Sequence, residues 1–229
     1  MSTPSRRVML AGATGLVGSH ILSALLADTS VSEVHVLSRR VFPCQHAKLQ
    51  LHIVDFDALP ALPSADELYL ALGTTIKVAG SQAAFQAVDL DANLAVAKAA
   101  MQAGVTRIGI VSAVGASSSS PVFYNRVKGE LEDALRALAP HALLIAQPSI
   151  LLGNRTALQQ PFRLGERIAI LLARLASPLL PGRYRPVNAA DVACAMLRGL
   201  PRMSGVVTLS SNAMTNGSAA VETRQGIAP

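Results

Sequence analysis

The 229 residues are enough for one domain, or one domain with a small appendage. With 51% hydrophobic and 15% charged residues, the chain has a sizeable core and is not globally disordered; 3% aromatics and no Trp argue against an aromatic RNA-binding platform and against a sandwich built on a central Trp. The net charge of +6 comes from 20 basic residues, 16 of them Arg, scattered without a basic block, which argues against nucleic acid as a partner.

Ser5-Arg6-Arg7-Val8-Met9-Leu10 has the outline of a twin-arginine export signal. Gly12, Thr14, Gly15 and Gly18 break the apolar stretch such a signal needs. Arg7–Ala11 reads instead as a short β-strand, and Leu16–Ala27 as a helix with apolar residues at helical spacing. Val34–Leu37, Leu49–Val54 and Glu67–Leu72 are the next strands. Ser81–Ala103 is an Ala-rich helix, with Ser81 as N-cap and Gly104 closing it. Arg107–Val111 is a fifth strand, a helix runs from about Pro121 to Ala139, and Ala142–Ala146 is a sixth strand. Residues 149–187 hold no convincing strand; Ala189–Leu200 is a helix and Val206–Leu209 a seventh strand. Strands alternating with helices predict a doubly wound, mainly parallel α/β sheet, a Rossmann fold. Residues 1–210 form one domain, 148–187 are a small segment covering the substrate, and 211–229 are a mobile tail without apolar period.

Gly12-Ala13-Thr14-Gly15-Leu16-Val17-Gly18 lies between the first strand and the first helix. There, glycines allow a tight turn, close approach of backbone to a pyrophosphate, and packing of helix on strand, while the helix N-terminus offers free N–H groups. At the end of the second strand an NAD site carries an acid for the ribose hydroxyls. Here the stretch is Leu37-Ser38-Arg39-Arg40, a serine and two guanidinium groups suited to a 2′-phosphate, so NADP(H) is the expected cofactor. Asp55 suits either the adenine amino group or a helix cap. Gly73-Thr74-Thr75 after the fourth strand suits either ligand contact or a plain turn.

Ser112 ends the fifth strand, and Tyr124 and Lys128 follow four residues apart, on one face of a helix. An ammonium near a phenol favours the phenolate, and such a tyrosine can protonate a developing alkoxide. Together with the glycine loop, these residues make the sequence similar to an atypical short-chain dehydrogenase/reductase, in the NAD(P)-binding branch that includes the Tat-interacting-protein-like oxidoreductases. The resemblance rests on Ala11–Gly18, Leu37–Arg40, Leu72–Thr75, Val111–Ala116, Tyr124–Glu130 and Asn188–Ala195, and spans about residues 1–210. It implies a Ser/Tyr/Lys triad of Ser112, Tyr124 and Lys128, with Lys128 also holding the nicotinamide ribose. The family often carries Arg before the proline after the sixth strand; here the pair is Gln147-Pro148.

Arg155, Arg163, Arg167, Arg174, Arg183 and Arg185 gather in the covering segment, where three of them fall on one helix face. His20, His35, His46, His52 and His141 lack metal-ligand spacing, so no metal is expected. No apolar run reaches the ~18 residues of a membrane span, and Cys44 and Cys194 fit a reducing compartment, read here as the cytoplasm. The expectation is therefore an NADP-dependent oxidoreductase, monomer or homodimer, acting on a small carbonyl or alcohol. The alternative is an NADPH-binding regulatory or protein-interaction factor with little turnover.

Overall fold

The computed structural model describes residues 5–153 and 182–215. Seven strands form one sheet: β1 (Arg6–Ala11), β2 (Val31–Ser38), β3 (Leu49–Ile53), β4 (Glu67–Leu70), β5 (Arg107–Val111), β6 (Ala142–Gln147) and, late in the chain, β9 (Gly205–Ser210). Their order is β3-β2-β1-β4-β5-β6-β9, and every neighbouring pair is parallel. The order reverses between β1 and β4, which opens a crevice at the carboxyl ends of those strands.

Alternation along the central strands supplies both faces of this sheet. Val8 and Leu10 of β1 point to one core cluster and Met9 and Ala11 to the other. The first cluster is closed by α1 (Leu16–Ala27) and α6 (Ala189–Gly199), through Ile21, Leu25, Val192 and Met196. The second is closed by α4 (Asn93–Gln102) and α5 (Phe123–Ala137), through Val96, Ala100, Leu131 and Leu135. Two short helices, α2 (Ile76–Ala79) and α3 (Gln82–Gln86), precede α4.

The helix expected at Ser81–Ala103 exists, and Ser81 caps it by accepting the Ala84 amide at 3.1 Å. Its middle, Ala87–Ala92, is widened into a π turn. Pro121 stands two residues before the helix start at Phe123, with Val122 as N-cap. The stretch read as strandless contributes β7 (Leu151–Leu152), which pairs in parallel with β8 (Val187–Asn188) and so ties the two ends of the covering segment together. Two-residue pairings are too short to carry an alternation signal. The tail read as mobile from residue 211 begins with a helix, α7 (Ser211–Thr215), in which Ser211 and Met214 are buried. One buried Met is not a period, which is why composition missed it. Arg155, Arg163, Arg167 and Arg174, and the tail beyond 215, lie outside the described residues.

Candidate active site

The glycine loop closes the crevice from the β1 side. Gly12 has φ +93°, and a Cβ there would stand 2.3 Å from the Ala71 carbonyl oxygen at the end of β4. A Cβ on Gly18 would stand 2.0 Å from the Gly12 oxygen, so α1 packs on the loop only through glycine. Gly15 is the N-cap of α1 and offers no side-chain hydrogen bond; Ser19 makes the first amide bond, to the Gly15 carbonyl at 2.9 Å. The amides of Leu16, Val17 and Gly18 are thus left for an anion, with Thr14 exposed beside them. This cradle fits a dinucleotide pyrophosphate.

At the end of β2, the Ser38 hydroxyl donates to the Arg40 carbonyl at 2.7 Å and accepts the Arg40 amide at 3.3 Å. That turn leaves Arg39 and Arg40 exposed, with no guanidinium partner among the described residues. Asp55 is exposed and accepts the Asp57 amide at 3.0 Å, so it caps a turn. Thr75 caps α2 by accepting the Val78 amide at 3.2 Å. Thr74 donates its amide to Asp89 at 2.8 Å, and Gly73 lies over the same carboxylate, its Cβ position 3.4 Å from Oδ1.

Lys128 is 4% exposed, and its Nζ lies 2.7 Å from Asp89 Oδ1. Asp89 therefore joins the Gly73–Thr74 turn to the lysine. The π turn brings it there: Asn93, fully buried, donates its amide to the carbonyls of Leu72, Val88 and Asp89 and holds the widened turn against the end of β4. The Gly73 Cβ position is only 3.9 Å from Lys128 Nζ, so the lysine lies against this turn.

Tyr124 lies one helical turn before Lys128 on α5, its ring 5.5 Å from that of Phe85. It lines a cavity of about 470 Å³ with Ala113, Val114, Asn125, Pro148, Ser149, Ile150 and Tyr184. The Tyr124 hydroxyl has no hydrogen-bond partner among the described residues. Ser112 makes no hydrogen bond to it. The Ser112 hydroxyl is 5% exposed and donates to Glu132 Oε1 at 2.5 Å. Glu132 lies eight residues after Tyr124, about 12 Å farther along the helix axis. The hydroxyl expected beside Tyr124 is thus engaged by Glu132, on a later turn of α5. Gln147 stands where the family often has Arg, and its amide donates to both Glu132 oxygens at 2.8 and 3.1 Å. Arg136 adds a contact at 3.0 Å, so this buried carboxylate is fully paired.

Residues 12–147 match the family model described as NAD(P)H-binding, more than half of the chain. The chain belongs to this NAD(P)H-binding family. It is 37% identical over 170 residues to "Protein FMP52, mitochondrial" of Eremothecium gossypii, covering 73% of this chain and 75% of the relative. It is 33% identical over 215 residues to "Protein fmp52, mitochondrial" of Emericella nidulans, covering 89% and 91%. Its fold is similar to MoeE5 in complex with UDP-glucose and NAD, with TM-score 0.65, 17% identity and coverage of 89% and 76%. It is also similar to the Helicobacter pylori ADP-L-glycero-D-manno-heptose-6-epimerase, with TM-score 0.67, 14% identity and coverage of 91% and 77%. The relatives' names overturn the cytoplasmic expectation and point to mitochondria. Two cysteines argue only against an oxidising compartment, and a broken apolar stretch only against export. Neither bears on mitochondrial import.

Proposed function

We propose that the protein is an NADPH-dependent carbonyl reductase in which Tyr124 is the proton donor. The observation that carries this reading is the juxtaposition on α5. Lys128 is buried against the Gly73–Thr74 turn, and Tyr124, one turn away, opens an unpartnered hydroxyl into a cavity. The bound dinucleotide supplies the hydride. The amides of Leu16, Val17 and Gly18 hold its pyrophosphate, and Arg39 and Arg40 select the 2′-phosphate. Lys128, steadied by Asp89, hydrogen-bonds the ribose and presents a positive charge toward Tyr124. Tyr124 then gives its proton to the carbonyl oxygen as negative charge develops there. Ser112 works through structure instead, anchoring β5 to α5 by way of Glu132.

The test is NADPH consumption by the purified protein against a panel of small ketones, aldehydes and quinones. Turnover of any of them supports the reading. Tight NADPH binding with no carbonyl consumed would move the protein to a regulatory or partner-binding role.

A further inference from the structure

A carbonyl held for protonation by one hydroxyl needs a second polar contact to fix its orientation. Ser112 does not supply it, because its hydroxyl is engaged by Glu132. Ala113, the next residue, has none to offer. Ser149 lines the cavity, but its hydroxyl donates to the Arg185 carbonyl at 2.5 Å. Asn125 is different: it lines the cavity, and its side-chain amide has no hydrogen-bond partner among the described residues. It follows Tyr124 directly in the first turn of α5, and its backbone carbonyl accepts the Ser117 amide at 3.0 Å. Gly115, at φ +78°, closes over the amide; a Cβ there would stand 3.1 Å from Asn125 Nδ2. The amide is therefore packed in place and left unpaired beside Tyr124.

We infer that Asn125 determines specificity in this cavity, and that the substrate is a carbonyl compound with a second oxygen adjacent to the carbonyl, an α-dicarbonyl or α-hydroxycarbonyl. This rests on the carbonyl-reductase reading above. One oxygen takes the Tyr124 proton; the other accepts from the Asn125 amide. Of the rest of the described lining, Ala113, Val114, Pro148 and Ile150 are apolar, and Tyr184 stands 40% exposed with the Arg183 guanidinium 4.8 Å over its ring. A plain ketone would leave the amide unpaired. In the reaction the C=O π bond breaks, a C–H bond forms with the hydride of NADPH, and an O–H bond forms with the Tyr124 proton. NADP⁺ and a hydroxyketone or diol leave, and solvent reprotonates Tyr124.

The experiment compares 1-phenyl-1,2-propanedione with propiophenone, which lacks the second oxygen. The readout is the ratio of their kcat/KM values in wild type against Asn125→Ala, because the dione's greater intrinsic reactivity cancels in that comparison. Asn125→Ala is expected to lower the ratio about tenfold, the loss of one hydrogen bond. Asn125→Asp, which keeps the size and loses the N–H donor, is expected to do the same. A second readout needs no turnover: with NADP⁺ bound, the dione should raise the melting temperature of wild type more than that of either variant. An unchanged ratio together with an unchanged thermal shift overturns the role of Asn125 and leaves the reductase reading standing. If neither carbonyl is consumed while NADPH binds and another carbonyl of the wider panel is turned over, the α-oxygen substrate class falls and the reductase reading stands; if nothing in the panel is consumed, both fall.

Discussion

Ser112 and Tyr124 lie only twelve positions apart in sequence, yet the Ser112 hydroxyl meets α5 at Glu132, eight residues beyond Tyr124. The hydroxyl of Ser112 completes the shell of the buried Glu132 carboxylate, beside Gln147 and Arg136. A hydrogen bond to a charged group is worth ~1.5–3 kcal/mol, so Ser112→Ala should lower the melting temperature by several degrees. It should leave turnover within a few-fold, which thermal melts and steady-state rates on the same samples would check; a hundredfold rate loss in a fully folded variant would return Ser112 to the reacting oxygen. Arg39 and Arg40 make the opposite case, exposed and unpaired, with consequences only for a ligand. Replacing both by Ala should weaken NADPH binding about tenfold to a hundredfold and leave NADH binding nearly unchanged. Equal losses for the two dinucleotides in a fluorescence titration would contradict a 2′-phosphate contact. The glycine loop was legible in the sequence because glycine is required there by backbone approach alone. Asp89 and Glu132 were not, because each finds its meaning in a partner 39 or 20 residues away. Glu132 did carry a signal, since it continues the i, i+4 stripe of Tyr124 and Lys128.

At the scale of elements, the strands and helices of the doubly wound sheet were readable because buried parallel strands and capped helices announce themselves in composition. The π turn in the helix after Ser81 was not. Nothing in Ala87-Val88-Asp89-Leu90 marks a widened turn until the Asn93 amide is seen to hold it. The edge of the sheet holds a second contact that composition hid. His35 on β2 and His52 on β3 share a hydrogen bond of 3.1 Å. Burial holds both below the usual histidine range, and for His35 the neighbouring imidazole adds to it, against a smaller opposing pull from Glu33. The folded state thus favours neutral rings, and the unfolded chain takes up protons first as pH falls. The stabilisation is complete above the unfolded value of about 6.5 and is lost as pH falls from there toward the folded values. Melting temperature should decline from about pH 7.5 to about 5.5. Substituting Leu at both positions should flatten that decline, and the same slope in the double variant would show that other groups cause it.

For the whole molecule, the parallel sheet collects the site at its carboxyl edge and leaves the opposite edge to structure. There Arg6 pairs with Glu67 at 2.7 Å, and Tyr69 donates to the same carboxylate at 3.0 Å. Leu151 and Leu152 of β7 pair with Val187 and Asn188 of β8. Ser211 of α7 accepts the Ser149 amide at 2.8 Å, so the first turn of the expected tail supports the cavity wall. Tyr124, with Ala113, Val114 and Pro148, lines the cavity beyond the carboxyl ends of β5 and β6. The most direct test of Tyr124 as proton donor is carbonyl-dependent NADPH oxidation by Tyr124→Phe against wild type, with NADPH affinity measured on the same preparations. Turnover should fall by about 10²–10⁴-fold while NADPH affinity stays nearly intact. Full activity in Tyr124→Phe would contradict the role of Tyr124.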